Sequence, residues 1–550
     1  MNELRLDTNV ADYLILVIYF VAVLGIGFAA RRYIKTSLDY FLSGRSLPAW
    51  ITGLAFISAN LGALEILGMA ANGAQFGVAT VHYYWIGAVP AMVFLGLVMM
   101  PFYYGSKVRS VPEYLRLRFN RPTHLFNALT FAFATVLIAG VNLYALALVL
   151  KLLLGWPILL GIVIAAAIVL IYITLGGLSS AIYNEVLQFF VILAALVPLM
   201  LVGLHDVGGW SGLKDAVEQT KGGSSLLHSW KGTGVGNVTN PLEASWIPIV
   251  FGLGFVLSFG YWTTNFAEVQ RALSAKTLNA AQRTPLIGAY PKIFIPAITI
   301  IPGLVALVTI KGLGGDDPNL QYNNAIPLLM NEYLPNGMLG LALAGLLAAF
   351  MAGVAANVSA FNTVVTYELW EPYVRPDQSD EYYIRFGRLA TIGGILVGIG
   401  TALIASGYNN IMDYIQLLFS FFNAPLFATF IIGMYWRRMT PWAGFWGLVA
   451  GTLGAAAAHF AHVWDIVNLG SDQAAAFWGA IIAFLADAAA SIVVTLVTQP
   501  KPVAELQGLV HGMANVAEEA PASERVWYRR PIVLGIGAIG LTVVLNLLFI

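Results

Sequence analysis

The stretch ITGLAFISANLGALEILGMAA, residues 51–71, is long and apolar enough to cross a bilayer. Asn60, Gly62 and Glu65 interrupt it near its middle. Backbone that leaves helical geometry at membrane depth is tolerated only where it lines a cavity or is buried in protein. The stretch therefore predicts a helix that is broken inside the membrane, beside a polar cavity.

A second stretch, WIPIVFGLGFVLSFGYWTTN at 246–265, has the same character. Four small residues inside it permit the backbone to unwind: Gly252, Gly254, Ser258 and Gly260. The two stretches lie five apolar runs apart, so repeats over 51–204 and 246–434 would each begin with a broken helix and would have opposite topologies. This pattern indicates an inverted-repeat transporter with its site at the membrane midplane.

The composition of the chain also indicates a membrane protein. Of its 550 residues, 59% are hydrophobic and 10% are charged, and the mean hydropathy is +0.77. Soluble domains carry about 25% charged residues. The net charge is zero, so nothing suggests a nucleic-acid partner, and the absence of cysteine excludes disulfides and thiolate chemistry. The opening MNELRLDTNVAD lacks the features of a signal peptide, so we expect the first apolar run to be a true span.

We expect an all-α integral membrane protein, a single domain over 1–550 with a leading helix at 11–30 and three trailing helices in 441–550. There are 14 apolar runs, at roughly 11–30, 51–71, 77–104, 125–150, 156–175, 178–204, 246–265, 286–310, 338–367, 386–407, 409–434, 441–463, 475–498 and 532–550. Loops after odd-numbered runs hold 21 Lys and Arg residues, and the opposite side holds six. The positive-inside rule then places both termini outside the cytoplasm, in a multi-pass protein of the plasma membrane.

Lys292 is the one charged residue in the apolar run 286–310. A lysine in hydrocarbon costs about 2.5–3.5 kcal/mol even on lenient scales. It therefore either extends to the interface or points into a polar cavity, and the second interpretation makes the protein a carrier. Glu185 and Gln416 are further polar residues inside apolar runs. For Asp487, which stands alone in its run, we expect a structural bond to a neighbouring helix.

Three common catalytic and nucleotide-binding motifs are missing from the sequence. It contains no GxxxxGK[ST] phosphate loop, no HExxH pair and no GxSxG elbow. We therefore expect no enzymatic activity, no nucleotide partner and no organic cofactor. The expected partners are a small solute and the lipid bilayer.

Several motifs resemble the sodium:solute symporter family, and within it the sodium–glucose and sodium–galactose cotransporters. They are DYFLSGRSLPAW at 39–50, ISANLGALEILGMA at 57–70, VPEYLRLRFN at 111–120, YITLGGLSSAIYNEVLQ at 172–188, YWTTNFAEVQRALSAKT at 261–277, DYIQ at 413–416 and GMYWRRMTPWAGFWGLVAG at 433–451. The resemblance implies a LeuT-type fold with five-plus-five inverted repeats. It also implies alternating-access transport of a sugar or related polyol held at the midplane.

The resemblance also implies which residues form the substrate site. It places sugar hydroxyls against Asn60, Lys292 and Gln416. Two positions depart from the family pattern: Glu65 stands where the sugar branch often has Gln, and Tyr84 stands where the family places an acidic residue. We include both in the site, and they leave polyols and sugar acids open beside glucose-like sugars.

Three residues of one segment complete this set. The resemblance assigns Tyr261 to stacking on the sugar ring as an inner gate. Trp262 and Asn265 match its neighbours in the family. An aromatic ring face suits the apolar face of a sugar ring.

Sodium is the coupling ion that the resemblance implies. The family's shared sodium site uses carbonyls from the first broken helix and, from the run 338–367, a carbonyl and two adjacent hydroxyls. The matching carbonyls belong to Ser58, Leu61 and Ala349. The positions of the hydroxyls are Ala352 and Gly353 here. A hard cation requires about six oxygens, so we expect sodium coupling to be weak or absent.

Two alternatives remain open at the sequence level. The first is a proton-coupled or uncoupled sugar uniporter, in which Glu65 and Glu185 are the carboxylates able to take a proton. The second is a transporter-like solute sensor.

Overall fold

The computed structural model describes residues 8–30, 36–105, 108, 110–317, 320–408, 410–511, 513 and 526–550. Fifteen helical elements within these ranges form the framework: α1 Val10–Ala30, α2 Ala49–Asn60, α3 Leu64–Val81, α4 Tyr83–Tyr104, α5 Arg121–Leu154, α6 Ile158–Asp206, α7 Pro248–Thr264, α8 Phe266–Leu273, α9 Leu278–Thr309, α10 Met338–Val364, α11 Asp380–Ala405, α12 Ile411–Tyr435, α13 Pro441–Val463, α14 Asp472–Val497 and α15 Pro531–Leu548. Shorter helices lie between them: Ser37–Leu42, Val111–Arg118, Gly209–Glu218 and Ala325–Tyr333. Two strands, Thr233–Gly234 and Asn237–Val238, pair antiparallel in the loop after α6.

The expected spans are present as helices. In the described ranges, 11 helices are long and apolar enough to cross a membrane, and two bent pairs bring the number to 13. A shorter apolar helix, Ile158–Ile171, accounts for the fourteenth run. It belongs to α6, whose backbone leaves helical geometry at Gly177, with φ 53° and ψ −152°. The residue is glycine because a Cβ there would lie 2.6 Å from the carbonyl oxygen of Tyr40.

The first broken helix lies where the sequence predicts it. Elements α2 and α3 meet at an angle of 60°. Leu61, between them, has a ψ of 44°, which ends α2. Gly62 and Ala63 follow, and the helix resumes at Leu64.

The second broken helix lies later than the sequence predicts. Elements α7 and α8 are bent by 49°, and the break is at Asn265, whose ψ is 110° and whose Oδ1 accepts from the Ala267 N–H. The expectation of unwinding at the glycines was wrong, because 248–258 is continuous π-helix. Those glycines permit close packing instead: a Cβ at Gly252 would lie 2.3 Å from the carbonyl oxygen of Phe477 in α14.

The elements that carry polar residues pack around one another. Element α9 stays helical through its four internal prolines and packs against α2 and α3. Element α10 packs against α5 and α6, and α12 packs against α14. Element α9 also contacts α8, and α12 contacts α3 and α7, so both broken pairs touch these two helices. The repeat boundaries 51–204 and 246–434 and the trailing segment 441–550 stay a prediction.

Candidate functional site

A cavity of about 80 Å³ lies among α2, α3, α4, α7, α9 and α12. Seven of the eight substrate residues expected from the sequence line it: Asn60, Glu65, Tyr84, Tyr261, Trp262, Lys292 and Gln416. Sites for drug-sized ligands measure about 300–1,000 Å³. The cavity is smaller than such a site in this structure.

Lys292 is held at the centre of this cavity wall. It is 2% exposed, and its ammonium donates to Glu65 Oε1 at 2.6 Å and to Asn60 Oδ1 at 2.5 Å. The Tyr84 and Trp262 rings lie 5.0 and 5.2 Å from Nζ, within the range of cation–π attraction. Lys292 does not extend to the interface, and its expected orientation into a polar cavity is confirmed.

Tyr261 connects the cavity to a carboxyl group that the sequence analysis did not assign. Its hydroxyl accepts from Asn60 Nδ2 at 3.1 Å and donates to Glu268 Oε1 at 2.8 Å. Its ring lies 4.8 Å from that of Phe419, centroid to centroid. Glu268 is 2% exposed. The signal in the sequence was a single acid within NFAEVQRAL, but the break at Asn265 hides which face of the helix it occupies.

Gln416 offers a free carboxamide to the cavity. Among the described residues it makes no hydrogen bond, although it is only 4% exposed. An amide that can both donate and accept suits a hydroxyl group. Its expected role toward sugar hydroxyls stays a prediction.

A larger pocket of about 610 Å³ lies near the cavity, and a polar network links residues of the two linings. Tyr83, which lines the cavity, donates to Gln473 Oε1 at 2.6 Å. Gln473 Nε2 donates to Asp413 Oδ1 at 2.9 Å, and Asp413 lines the larger pocket. These three side chains thus connect the lining of the cavity to the lining of the larger pocket.

Comparison with known proteins identifies the family. The sequence model described as "Sodium:solute symporter family" matches residues 40–451. The chain belongs to the sodium:solute symporter family. Relatives of this symporter include sodium/glucose cotransporter 4 of Danio rerio, 30% identical over 474 residues that cover 81% of this chain and 71% of that protein. Human sodium/myo-inositol cotransporter 2 is 30% identical over 468 residues, covering 80% and 68%. The sodium/glucose cotransporter of Vibrio parahaemolyticus is 26% identical over 477 residues, covering 82% and 85%.

Solved structures confirm the fold of the symporter. A Na⁺-coupled sialic acid symporter in a substrate-bound outward-open state superposes with a TM-score of 0.74 at 20% identity, covering 90% of this chain and 99% of that one. Mhp1, a nucleobase-cation-symport-1 family transporter in a closed conformation, gives 0.51 at 15% identity, covering 86% and 97%. The expected LeuT-type fold is therefore confirmed, and the chain is a multi-pass membrane transporter of a family of cotransporters, not an enzyme.

The structure describes the junction at which the resemblance places sodium, between the break after α2 and the helix α10. The break after α2 meets α10 where a Cβ built on Gly62 would lie 3.5 Å from the Gly353 Cα. Asn142 of α5, 2% exposed, enters this junction and its Oδ1 accepts from the Ala63 N–H at 2.9 Å. A Cβ at Gly353 would lie 2.3 Å from that oxygen. The Asn142 carboxamide thus lies between the Ala63 N–H and Gly353 at this junction.

The carbonyls expected to bind sodium lie beside this junction. The Ser58 carbonyl accepts from the Leu61 N–H at 3.0 Å, and Ala349 lies inside the continuous helix α10. Ala352 and Gly353 carry no hydroxyl, and the Asn142 carboxamide lies at this junction.

Two expected roles need correction in light of the geometry. Asn265 does not line the cavity; its side chain caps α8, because the chain breaks there and the N–H of Ala267 needs a partner. Glu185 forms a fully buried ion pair with Arg271, so it is not a free proton acceptor.

Asp487 accepts from Thr429 at 2.6 Å and Ser491 at 3.2 Å, the structural bonding expected of it.

Proposed function

We propose that this symporter carries a neutral polyhydroxylated solute, a sugar or an inositol-like polyol, by alternating access across the plasma membrane. The observation that carries the proposal is the buried pair of Lys292 and Glu65 in the cavity wall, 2.6 Å apart. The names of its relatives, sodium/glucose and sodium/myo-inositol cotransporters, agree with this solute class.

The charge balance of the cavity favours a neutral solute. The ammonium of Lys292 and the carboxylate of Glu65 neutralise each other, so an anionic sugar acid would bring a buried charge without a counter-ion. A polyol hydroxyl instead donates to the carboxylate and accepts from the ammonium. The neutral ion pair therefore disfavours the sugar acids that the sequence alone left open.

The walls of the cavity fit the rest of such a solute. Gln416 presents an unpaired carboxamide for further hydroxyls. Tyr84, Trp262 and Tyr261 also line the cavity, and the C–H face of a sugar or cyclitol packs well against aromatic side chains. A few convergent polar groups in an aromatic cavity are typical of a small-molecule site.

We further propose that sodium couples to this transport weakly or not at all. The family implies sodium as the co-transported ion. In this chain, Ala352 and Gly353 supply no hydroxyls, and the Asn142 carboxamide fills the junction beside Gly353. A bound sodium ion would have to displace a side chain that already satisfies the Ala63 N–H.

Uptake of labelled solutes into proteoliposomes tests the proposal. The panel contains hexoses, myo-inositol and a sugar acid, each in sodium, potassium and choline buffers. We expect Lys292→Ala and Gln416→Ala to lower the affinity at least tenfold, while the matched controls Lys311→Ala and Gln219→Ala, at exposed positions, transport like the wild type. Wild-type kinetics in both cavity variants, or preference for the sugar acid, would contradict it.

The orientation of the chain has a separate test. We propose that both termini lie outside the cytoplasm, as the distribution of Lys and Arg predicts. Because the chain has no cysteine, single substitutions can be labelled selectively in intact cells. We expect an impermeant maleimide to label Asn468→Cys and to leave Gln378→Cys unlabelled. The reverse pattern would invert the proposed topology.

A further inference from the structure

The buried charges near the cavity do not balance. Among the described residues, Glu65 pairs with Lys292, and Glu185 pairs with Arg271. Glu268 is a third buried acid, and no cation pairs with it. Its Oε1 accepts from Tyr261, and its Oε2 is buried without a hydrogen-bond partner. An ionised carboxylate in this position carries a large desolvation cost, whereas a protonated carboxyl group is neutral.

A hydrogen-bonded chain links this carboxyl group to the solute cavity. Lys292 donates to Asn60 Oδ1, Asn60 Nδ2 donates to the Tyr261 hydroxyl, and that hydroxyl donates to Glu268. Every donor points in the same direction, from the cavity towards Glu268. Ionising Glu268 makes the last bond charge-assisted, which strengthens it. The charge on Glu268 therefore affects the position of Tyr261 in the cavity wall.

The surroundings of Glu268 contain few other titratable groups. Those that act on it electrostatically are Tyr261, Arg271, Lys292 and Glu185. Elements α2 and α10 pack against α8 and contain no ionisable residue. The elements packed against α8 carry further ionisable residues, which are not among the groups that act electrostatically on Glu268: Asp39, Tyr40, Tyr103, Tyr104, Arg283 and Tyr290.

We propose that Glu268 is the proton-binding site of this carrier, and that it links the binding of one proton to the solute cavity through the Tyr261 hydroxyl. The co-transported ion is then a proton: the carboxylate takes it from one side of the membrane and releases it to the other, with no other reactant. The inference rests on the proposed carrier function. It assigns the proton to a residue other than Glu65 and Glu185, which are both paired with cations.

Transport in proteoliposomes tests the link to the solute. With an inward proton gradient and a clamped membrane potential, we expect the wild type to accumulate labelled solute, and solute influx to acidify a lumenal pH dye. Glu268→Gln keeps the shape and the acceptor for Tyr261, so we expect at least tenfold less accumulation with counterflow exchange within about twofold of the wild type. Asp487→Asn removes another buried acid without a cation and is the matched control, expected to accumulate like the wild type.

Infrared difference spectroscopy of the purified protein between acidic and alkaline pH gives a readout that needs no solute. In the wild type we expect a carbonyl-stretch band from a carboxyl group that titrates. This band should be absent from Glu268→Gln and present in Asp487→Asn. Wild-type accumulation by Glu268→Gln, or an unchanged carboxyl band in it, would overturn the proposal. Absence of counterflow in the wild type with every solute would refute the proposed carrier function instead, and the spectroscopic result would still decide whether Glu268 binds a proton.

Discussion

Sodium binding should appear when the junction between α2 and α10 is rebuilt. The perturbation is the triple substitution Asn142→Ala, Ala352→Ser and Gly353→Ser, which removes the carboxamide and supplies two adjacent hydroxyls. The double substitution that retains Asn142 is the matched control. Both proteins carry the same hydroxyls, so they differ only in whether the junction has room for an ion.

The magnitudes follow from the contacts of Asn142. A Cβ at Gly353 would lie 2.3 Å from Oδ1 and 2.6 Å from Cγ, closer than the 3.0 Å that real Cβ contacts respect. In the double variant Asn142 must therefore move, which costs about 1–3 kcal/mol of overpacking. This movement also weakens the hydrogen bond that Asn142 accepts from the Ala63 N–H, which is worth about 1 kcal/mol. In the triple variant the clash between residues 142 and 353 is absent. The Ala63 N–H then hydrogen-bonds to water instead of Asn142, at a cost of about 1–3 kcal/mol.

Thermal unfolding in detergent measures the result, in sodium chloride against choline chloride. A ligand at 100 times its Kd stabilises the folded state by about 2.7 kcal/mol. We expect a sodium-dependent stabilisation of this order in the triple variant, and none in the double variant or the wild type. Uptake in sodium and choline buffers should follow the same pattern.

Two results would refute the reasoning about this junction. One is a wild-type protein that is already stabilised by millimolar sodium and accumulates solute on a sodium gradient with saturable dependence. The other is a double variant that gains sodium dependence equal to that of the triple variant, because Asn142 would then not obstruct the site.

Three further predictions concern the cavity and the fold. Lys292→Met should cost about 3–5 kcal/mol of stability by leaving the Glu65 carboxylate unpaired. Adding Glu65→Gln should restore most of the unfolding midpoint but not transport, and equal midpoints for the single and double variants would contradict this. Tyr261→Phe keeps the ring but loses both hydrogen bonds of the hydroxyl. Counterflow should therefore stay within about threefold of the wild type while gradient-driven accumulation falls, and loss of both transport activities would indicate a purely structural role. Gly177→Ala should cost at least about 1–3 kcal/mol, because its backbone conformation is almost confined to glycine, whereas Gly400→Ala, in open space on α11, should leave the unfolding midpoint unchanged or slightly raised.

The membrane class, the runs of apolar residues and the break at 61–63 could all be predicted from the sequence. They depend on local composition: a span requires some 20 apolar residues, and Asn60, Gly62 and Glu65 interrupt one such run. The family motifs then identified seven cavity residues. Four of those seven, Asn60, Glu65, Lys292 and Gln416, are polar residues inside apolar runs, whereas the three aromatic residues were assigned by the resemblance alone.

The second break, the content of the cation junction and the surplus acid were decided only by tertiary structure. The chain breaks at Asn265 rather than at the preceding glycines, which are used for close packing against α14, α4 and α12. Asn142 lies in an otherwise ordinary apolar run, and nothing local indicates that its carboxamide enters the junction between α2 and α10. Glu185 and Glu268 look alike in sequence, but Arg271 pairs with the first and leaves the second unpaired. Local sequence sets which polar groups a helix carries into the membrane, whereas their partners come from distant segments, so the balance of buried charge exists only once the helices have packed.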